Sequence, residues 1–275
     1  MAVAARKLTT ETTSISSAHM PFVLQVTTLA WRSLVTMIRT PAAVLPAVLI
    51  SVFFLLIYQG SFSEAATFLP GLGDNYLAFI LPFSLISAAL SGSSVVGQNI
   101  VRDIENGYFD KLLLTPVSRA ALLLGPIIAG GVVLALQAAI VVVIGLLLGM
   151  ETKTGVLGVL AVMGLSMLVG IGFGGFTVGV ALRTGNAGAT SGASFLFFPL
   201  SFLTAANVPL ELLTGWIKTA ATLNPITYVL EAMRSILRVG WDADIIAKGL
   251  IGCAVLFIFP YIFALMSLRS RTRRK

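Results

Sequence analysis

The sequence predicts an all-α polytopic membrane protein. It has six transmembrane helices, an N-terminal amphipathic interfacial helix, a cytoplasmic helix between spans two and three, and re-entrant extracellular helices between spans five and six. Three observations carry that prediction. Of the 275 residues 57% are hydrophobic and only 11% charged, whereas soluble domains carry about 25% charge. Six apolar runs approach the roughly 20 residues that a helix needs to cross hydrocarbon. The basic residues are shared unevenly between alternate loops, as membrane topology demands.

Residues 1–20 read as a flexible cytoplasmic tail, rich in Ser and Thr, with Arg6 and Lys7 but no apolar segment after them and hence no cleavable signal. His19, the only histidine, is a solvated bystander there, and Cys253, the only cysteine, is an inert thiol in a late apolar run. This pair excludes an internal disulfide and a Cys/His zinc site. Over 21–40, polar residues recur at Gln25, Thr28, Arg32, Thr36 and Arg39, and apolar ones at Phe22, Val26, Leu29, Leu34 and Met37. Both sets follow the helical period, which predicts an interfacial helix with Trp31 at headgroup depth, ended by Pro41.

The six-span domain covers 41–268, with runs at 42–58, 76–97, 120–149, 156–182, 187–204 and 245–268. The fourth is rich in glycine: Gly170/Gly174 and Gly175/Gly179 have the spacing that lets helices approach closely, read here as packing within the chain. Between spans two and three, six charged residues fall from Arg102 to Arg119, a density that hydrocarbon excludes. Ile104, Tyr108 and Leu112 form one stripe there, which predicts a short exposed helix over 103–115, ended at Thr115-Pro116. The segment 205–244 is half apolar and divided by Asn207-Val208-Pro209, Gly215, Asn224-Pro225 and Gly240, which predicts short helices that dip back toward the membrane. Within it, Glu231 and Arg234 are helical neighbours and read as a surface ion pair.

A cytoplasmic N-terminus places 13 of the 18 Lys and Arg inside, including the basic tail 269–275, and leaves Lys153, Lys218, Arg234, Arg238 and Lys248 outside. Both termini are then cytoplasmic, and the tail is a topology anchor that also attracts anionic lipid. This asymmetry accounts for the net charge of +7, so no nucleic-acid partner is expected.

Glu105-x-Gly107, followed by Leu112-Leu113-x-Thr115-Pro116-Val117-Ser118-Arg119, resembles the signature of the type-2 permeases of ATP-binding-cassette (ABC) exporters. The later Asn224-Pro225-x-Thr227-Tyr228-x-x-Glu231-Ala232-x-Arg234 resembles a second segment of that family. Order, spacing and six-span plan agree, and the daunorubicin-resistance-like, polysaccharide and lipid exporter permeases are the most similar group. One departure is Tyr108-Phe109-Asp110, bulkier than the small residues often found after that glycine.

The resemblance implies a non-catalytic permease subunit in the plasma membrane. Asp103, Glu105, Gly107, Tyr108, Asp110, Lys111, Leu112, Thr115, Pro116 and Arg119 would couple it to an ABC ATPase subunit present in two copies, which binds ATP and Mg. A second permease chain, in a homodimer, completes the assembly. Asn224, Pro225, Tyr228, Glu231 and Arg234 would form the extracellular gate. Ser84, Ser87, Ser91, Phe198 and Asn207 would line the substrate pathway, and their neutral or apolar character suits an amphipathic, lipid-like or drug-like cargo exported from the cell. The sequence has no G-x-x-x-x-G-K-[ST] phosphate loop. Leu90-Ser91-Gly92-Ser93-Ser94 echoes an ABC ATPase signature but lies inside an apolar run. An ion-coupled transporter would need a carboxylate within a span, and a membrane-embedded lipid-modifying enzyme would need clustered acids or a histidine near the spans; neither pattern is found.

Overall fold

The computed structural model describes residues 20–66, 68, 75–206 and 209–273; His19, Asn207 and the rest of the chain lie outside the described residues. Among the described residues, eleven α-helices run α1 (Phe22–Ile38), α2 (Pro41–Ala66), α3 (Tyr76–Glu105), α4 (Tyr108–Leu113), α5 (Arg119–Leu147), α6 (Gly155–Thr184), α7 (Ala187–Phe195), α8 (Phe197–Phe202), α9 (Gly215–Leu223), α10 (Pro225–Arg234) and α11 (Ala243–Arg273). No strand occurs among the described residues. The chain is an all-α polytopic membrane protein. Five helices, α2, α3, α5, α6 and α11, are long and apolar enough to span a bilayer.

The fifth apolar run, expected as one span, is broken into α7 and α8 at Leu196. Proline explains the break. Pro199 has no N–H to donate to the carbonyl of Phe195, and its ring crowds that carbonyl. The Leu196 N–H turns instead to Ala193 O at 3.2 Å. At the other extreme, α11 continues unbroken through the expected basic tail as far as Arg273.

The core forms around α3, whose residues are buried without interruption from Tyr76 to Leu90. A helix apolar on every side belongs at the centre of a bundle. Helices α2, α5 and α6 pack against it, and α11 packs against α6 on the far side, while α2 leaves Leu45, Leu49, Phe53 and Leu56 exposed. The glycines of α6 act within the chain, as expected. A Cβ at Gly175 would stand 3.4 Å from Pro260 of α11, and Gly170 abuts Leu134 of α5. The tightest approach of an α6 glycine to a neighbouring backbone falls inside the first GxxxG pair: a Cβ at Gly172 would lie 2.5 Å from the carbonyl oxygen of Leu256.

The segment 205–244 does form short helices. α10 is amphipathic, and its buried residues Ile226, Val229, Leu230 and Met233 join the main core. It lies close against α11 because Gly252 admits it; a Cβ there would meet Pro225 O at 2.7 Å.

α1 forms as expected, but its faces differ from the expected ones. Gln25, Val26, Ser33 and Met37 are buried, while Trp31, Val23, Leu24 and Ile38 are exposed. Gly125 of α5 brings the two helices together, leaving only 2.5 Å between Leu29 Cβ and the position a Cβ would take. The period located the helix, and packing against α5 decided which residues it hides.

Candidate functional site

The charged stretch after α3 folds as an elbow rather than as one helix. Asp103 and Glu105 complete the last turn of α3, and Gly107 breaks the path with φ 67°. That left-handed conformation strains any residue with a Cβ, which is the physical reason for glycine in Glu-x-Gly. The chain restarts as α4, six residues long. The end of the Leu-Leu-x-Thr-Pro-x-Ser-Arg motif then builds the next helix. Thr115 Oγ1 donates to Leu112 O at 2.6 Å, closing α4. Ser118 Oγ accepts from Ala121 N at 3.1 Å, capping α5. The Ser118 N–H donates to Gln25 Oε1 at 2.9 Å and thereby fastens the motif to α1.

A second fastening joins α1 to the elbow. Arg32 Nη1 donates to Asp103 Oδ2 at 2.7 Å and Nη2 to Oδ1 at 2.5 Å, a two-pronged pair. The hydrogen bond to Asp103 raises the Arg32 pKa further above its already high value, so the guanidinium stays charged. Its carbon lies 3.7 Å from the centroid of the Tyr108 ring, a cation–π contact.

The expected apolar stripe is not what anchors α4. Ile104, Tyr108 and Leu112 are half-buried, and the fully buried residue is Phe109, in the cluster that contains Met37, Leu123 and Leu268. The bulk after Gly107, the one departure from the family pattern, therefore points inward. Glu105, Lys111, Thr115, Pro116 and Arg119 face solvent with Leu114, which is 88% exposed. Asp103, Gly107, Tyr108, Asp110 and Leu112 are partly covered. The elbow thus separates into an inner set that holds it and an outer set open to a partner.

At the other end of α3 the second motif forms a cap. Asn224 Oδ1 accepts from Ile226 N at 3.0 Å and caps α10, and Pro225 occupies the first turn, where its missing N–H costs nothing. Asn224 Nδ2 donates to Leu200 O at 2.7 Å and to Leu203 O at 2.9 Å, binding the end of α8 to the start of α10. Tyr228 Oη donates to Thr222 O at 2.7 Å. Arg234 corrects the expected surface pair. It is buried at 7% exposure and donates to Phe79 O at 3.0 Å, to Ala205 O at 2.5 Å and to Ala206 O. Its guanidinium carbon lies 3.6 Å from the Phe79 ring centroid. Three carbonyls, from α3 and from the chain leaving α8, converge on one side chain.

Between these ends, a lateral cavity of 580 Å³ opens among α2, α3, α7 and α8. Phe53, Phe54, Ile50 and Phe198 give it an apolar wall; Ser91, Ser94, Gln98, Ser191 and Ser194 give it a polar edge. Gln98 Nε2 donates to Ser191 Oγ at 3.0 Å across that edge. Of the expected pathway residues, Ser91 and Phe198 line this cavity. Ser84 and Ser87 are sealed in the core, where Ser87 Oγ donates to its own helix at Phe83 O, 2.9 Å away. Gln98, Ser94, Ser191, Ser194 and the α2 phenylalanines are among the lining residues that sequence reasoning did not select.

A buried central helix, apolar spans around it and a charged elbow at one end define a polytopic membrane protein. The family comparison makes the class specific. Residues 24–237 match the model of the ABC-2 type transporter, and the chain belongs to that family. It is similar to the daunorubicin resistance ABC transporter permease protein of Streptomyces coeruleorubidus, at 25% identity over 82% of this chain and 81% of that one. A protein of Mycobacterium tuberculosis named as a probable doxorubicin resistance ABC transporter permease is also 25% identical, over 78% of this chain and 76% of its own length. A transport permease of Cyanophora paradoxa is 26% identical over 78% of this chain and 74% of its own length.

Proposed function

We propose that this permease exports an amphipathic, lipid-like or drug-like molecule, driven by ATP hydrolysis on a separate ABC ATPase subunit that grips the elbow from the cytoplasm. The observation that carries this reading is the elbow's division of labour. Phe109 ties α4 to the core, the Arg32–Asp103 pair ties α1 to α3, and Arg32 lies over the Tyr108 ring of α4, while Glu105, Lys111, Leu114 and Arg119 remain exposed. A partner pressing on that outer set moves α3 and α1 as a unit. No step of catalysis is assigned to this chain; ATP and Mg belong to the partner.

The assembly is two permease chains, a homodimer, with two ATPase chains, in the cell membrane with both permease termini in the cytoplasm. The cavity supports the cargo assignment. A volume of 580 Å³ falls within the usual span of small-molecule pockets, about 300–1,000 Å³. Its aromatic wall suits an apolar body, and its neutral amide and hydroxyls suit an uncharged polar group. The drug-resistance names of two relatives point the same way.

Co-purification with an ABC ATPase encoded beside this chain is the direct test. A stable complex of two and two, whose ATP hydrolysis rises with amphipathic compounds, is the expected result. Charge reversal at exposed Glu105 leaves the permease folded but abolishes that stimulation. Export by the purified chain in liposomes without any ATPase defeats the proposal.

A further inference from the structure

A small polar pocket of 150 Å³ lies between α1 and α3, lined by Arg32, Ser33, Thr36, Asn99, Arg102, Asp103 and Asn106. It is separate from the lateral cavity and from the exposed face of α4. Its charges do not cancel. Both oxygens of Asp103 are held by Arg32, and Arg102 forms no ion pair among the described residues. Asn99, 8% exposed, has its Nδ2 buried with no hydrogen-bond partner. A buried amide donor is destabilising when nothing accepts from it. A pocket with one uncompensated guanidinium, one waiting amide donor and two hydroxyl side chains is built to receive an anion with several acceptor oxygens.

The surroundings identify where that anion comes from. The pocket lies at the charged end of a spanning helix, where the bilayer gives way to water. Trp31, next to Arg32, is 68% exposed, and indole rings collect at headgroup depth. The residues on the mouth, Arg32 and Arg102, are the type that grips phosphate with two prongs. We propose that this pocket binds the phosphate of an anionic phospholipid, whose acyl chains lie outward along the bundle. The lipid then bridges α1 and α3 beside the Arg32–Asp103 pair and holds the elbow's inner set together. This inference requires only that the chain is embedded in a bilayer and is independent of the cargo.

The full-length chain, purified in detergent and titrated with phosphatidylglycerol or phosphatidylcholine, tests it by native mass spectrometry. Wild type retains one phosphatidylglycerol in preference to phosphatidylcholine. Arg102→Gln lowers that retention about fivefold, the scale of one cation at an anionic lipid surface. Asn99→Asp lowers it as well, because a carboxylate replaces the waiting donor. Arg183→Gln removes another exposed arginine at the same end of the bundle and leaves retention unchanged. Arg102 is exposed, so its variant folds, and an unchanged elution profile and melting temperature confirm that. Equal retention by wild type and Arg102→Gln, or no preference for phosphatidylglycerol, overturns the site. Inorganic phosphate that displaces the lipid at equal concentration overturns the lipid as its source and leaves a free-phosphate pocket.

Discussion

Arg32 and Arg234 stand near opposite ends of α3 and tie the same helix to its neighbours by different chemistry. Arg32 is partly exposed and meets a carboxylate in a two-pronged pair. Arg234 is buried and meets three neutral carbonyl oxygens with an aromatic face alongside. The first is a fastening between charges at the edge of water, where solvent competes for both groups. The second is a fastening between a buried cation and three backbone dipoles. Removing it leaves buried carbonyls unsatisfied, which the core tolerates poorly. The elbow fastening thus rests on one solvent-accessible ion pair, and the cap fastening on several buried bonds.

Replacing Arg234 is expected to give the largest effect. Arg234→Met strips three carbonyls of their donor and costs about 3 kcal/mol or more of stability, by the usual worth of bonds to a charged group. A drop in melting temperature in detergent measures it. Arg234→Lys does not rescue, because a single ammonium cannot reach three diverging acceptors as a planar fork does. Phe109→Ala comes next. It empties a fully buried aromatic site beneath α4 and costs about 3 kcal/mol, near the lower bound for such truncations. Protease sensitivity confined to 106–118 is the expected accompaniment, since the elbow loses its anchor while the cap keeps its bonds.

The smallest stability effect belongs to the Arg32–Asp103 pair. Either Arg32→Asp or Asp103→Arg alone lowers stability by about 1 kcal/mol, the range of partly exposed pairs. Both together restore most of it. The same pair weakens as salt rises, while the Arg234 cluster is indifferent to salt. A salt-dependent Arg234, or a salt-independent Arg32, erases the distinction between the two ends.

Some of this contrast was readable from residues alone. The breakers at Thr115-Pro116 and Asn224-Pro225 marked the end of α4 and the start of α10, because a missing N–H and a capping amide are local properties, whereas the turn at Gly107 inside the expected 103–115 helix was not marked. The family motif flagged Arg234 but misassigned its surroundings. Its nearest charge in sequence is Glu231, whereas its bonding partners are backbone oxygens at 79, 205 and 206, and a carbonyl has no sequence signature. The bulky Tyr108-Phe109 pair was noticed as a departure, yet only packing revealed that Phe109 is an anchor and Tyr108 a platform for Arg32. The lateral cavity was half legible: Ser91 and Phe198 were in the expected set, and Gln98 was not.

By itself, the sequence determined that the chain lives in a membrane, that it is helical and where most helices stop. Those properties sum along the chain: the transfer cost of each charge, the period of each amphipathic run and the backbone limits of Gly and Pro are paid residue by residue. Only the tertiary structure decided which arginine is exposed and which is enclosed, and that Arg32 meets Asp103 across 71 residues. Those outcomes depend on which helices pack together, and a contact between distant segments is set by the shape of the whole bundle rather than by any stretch of it.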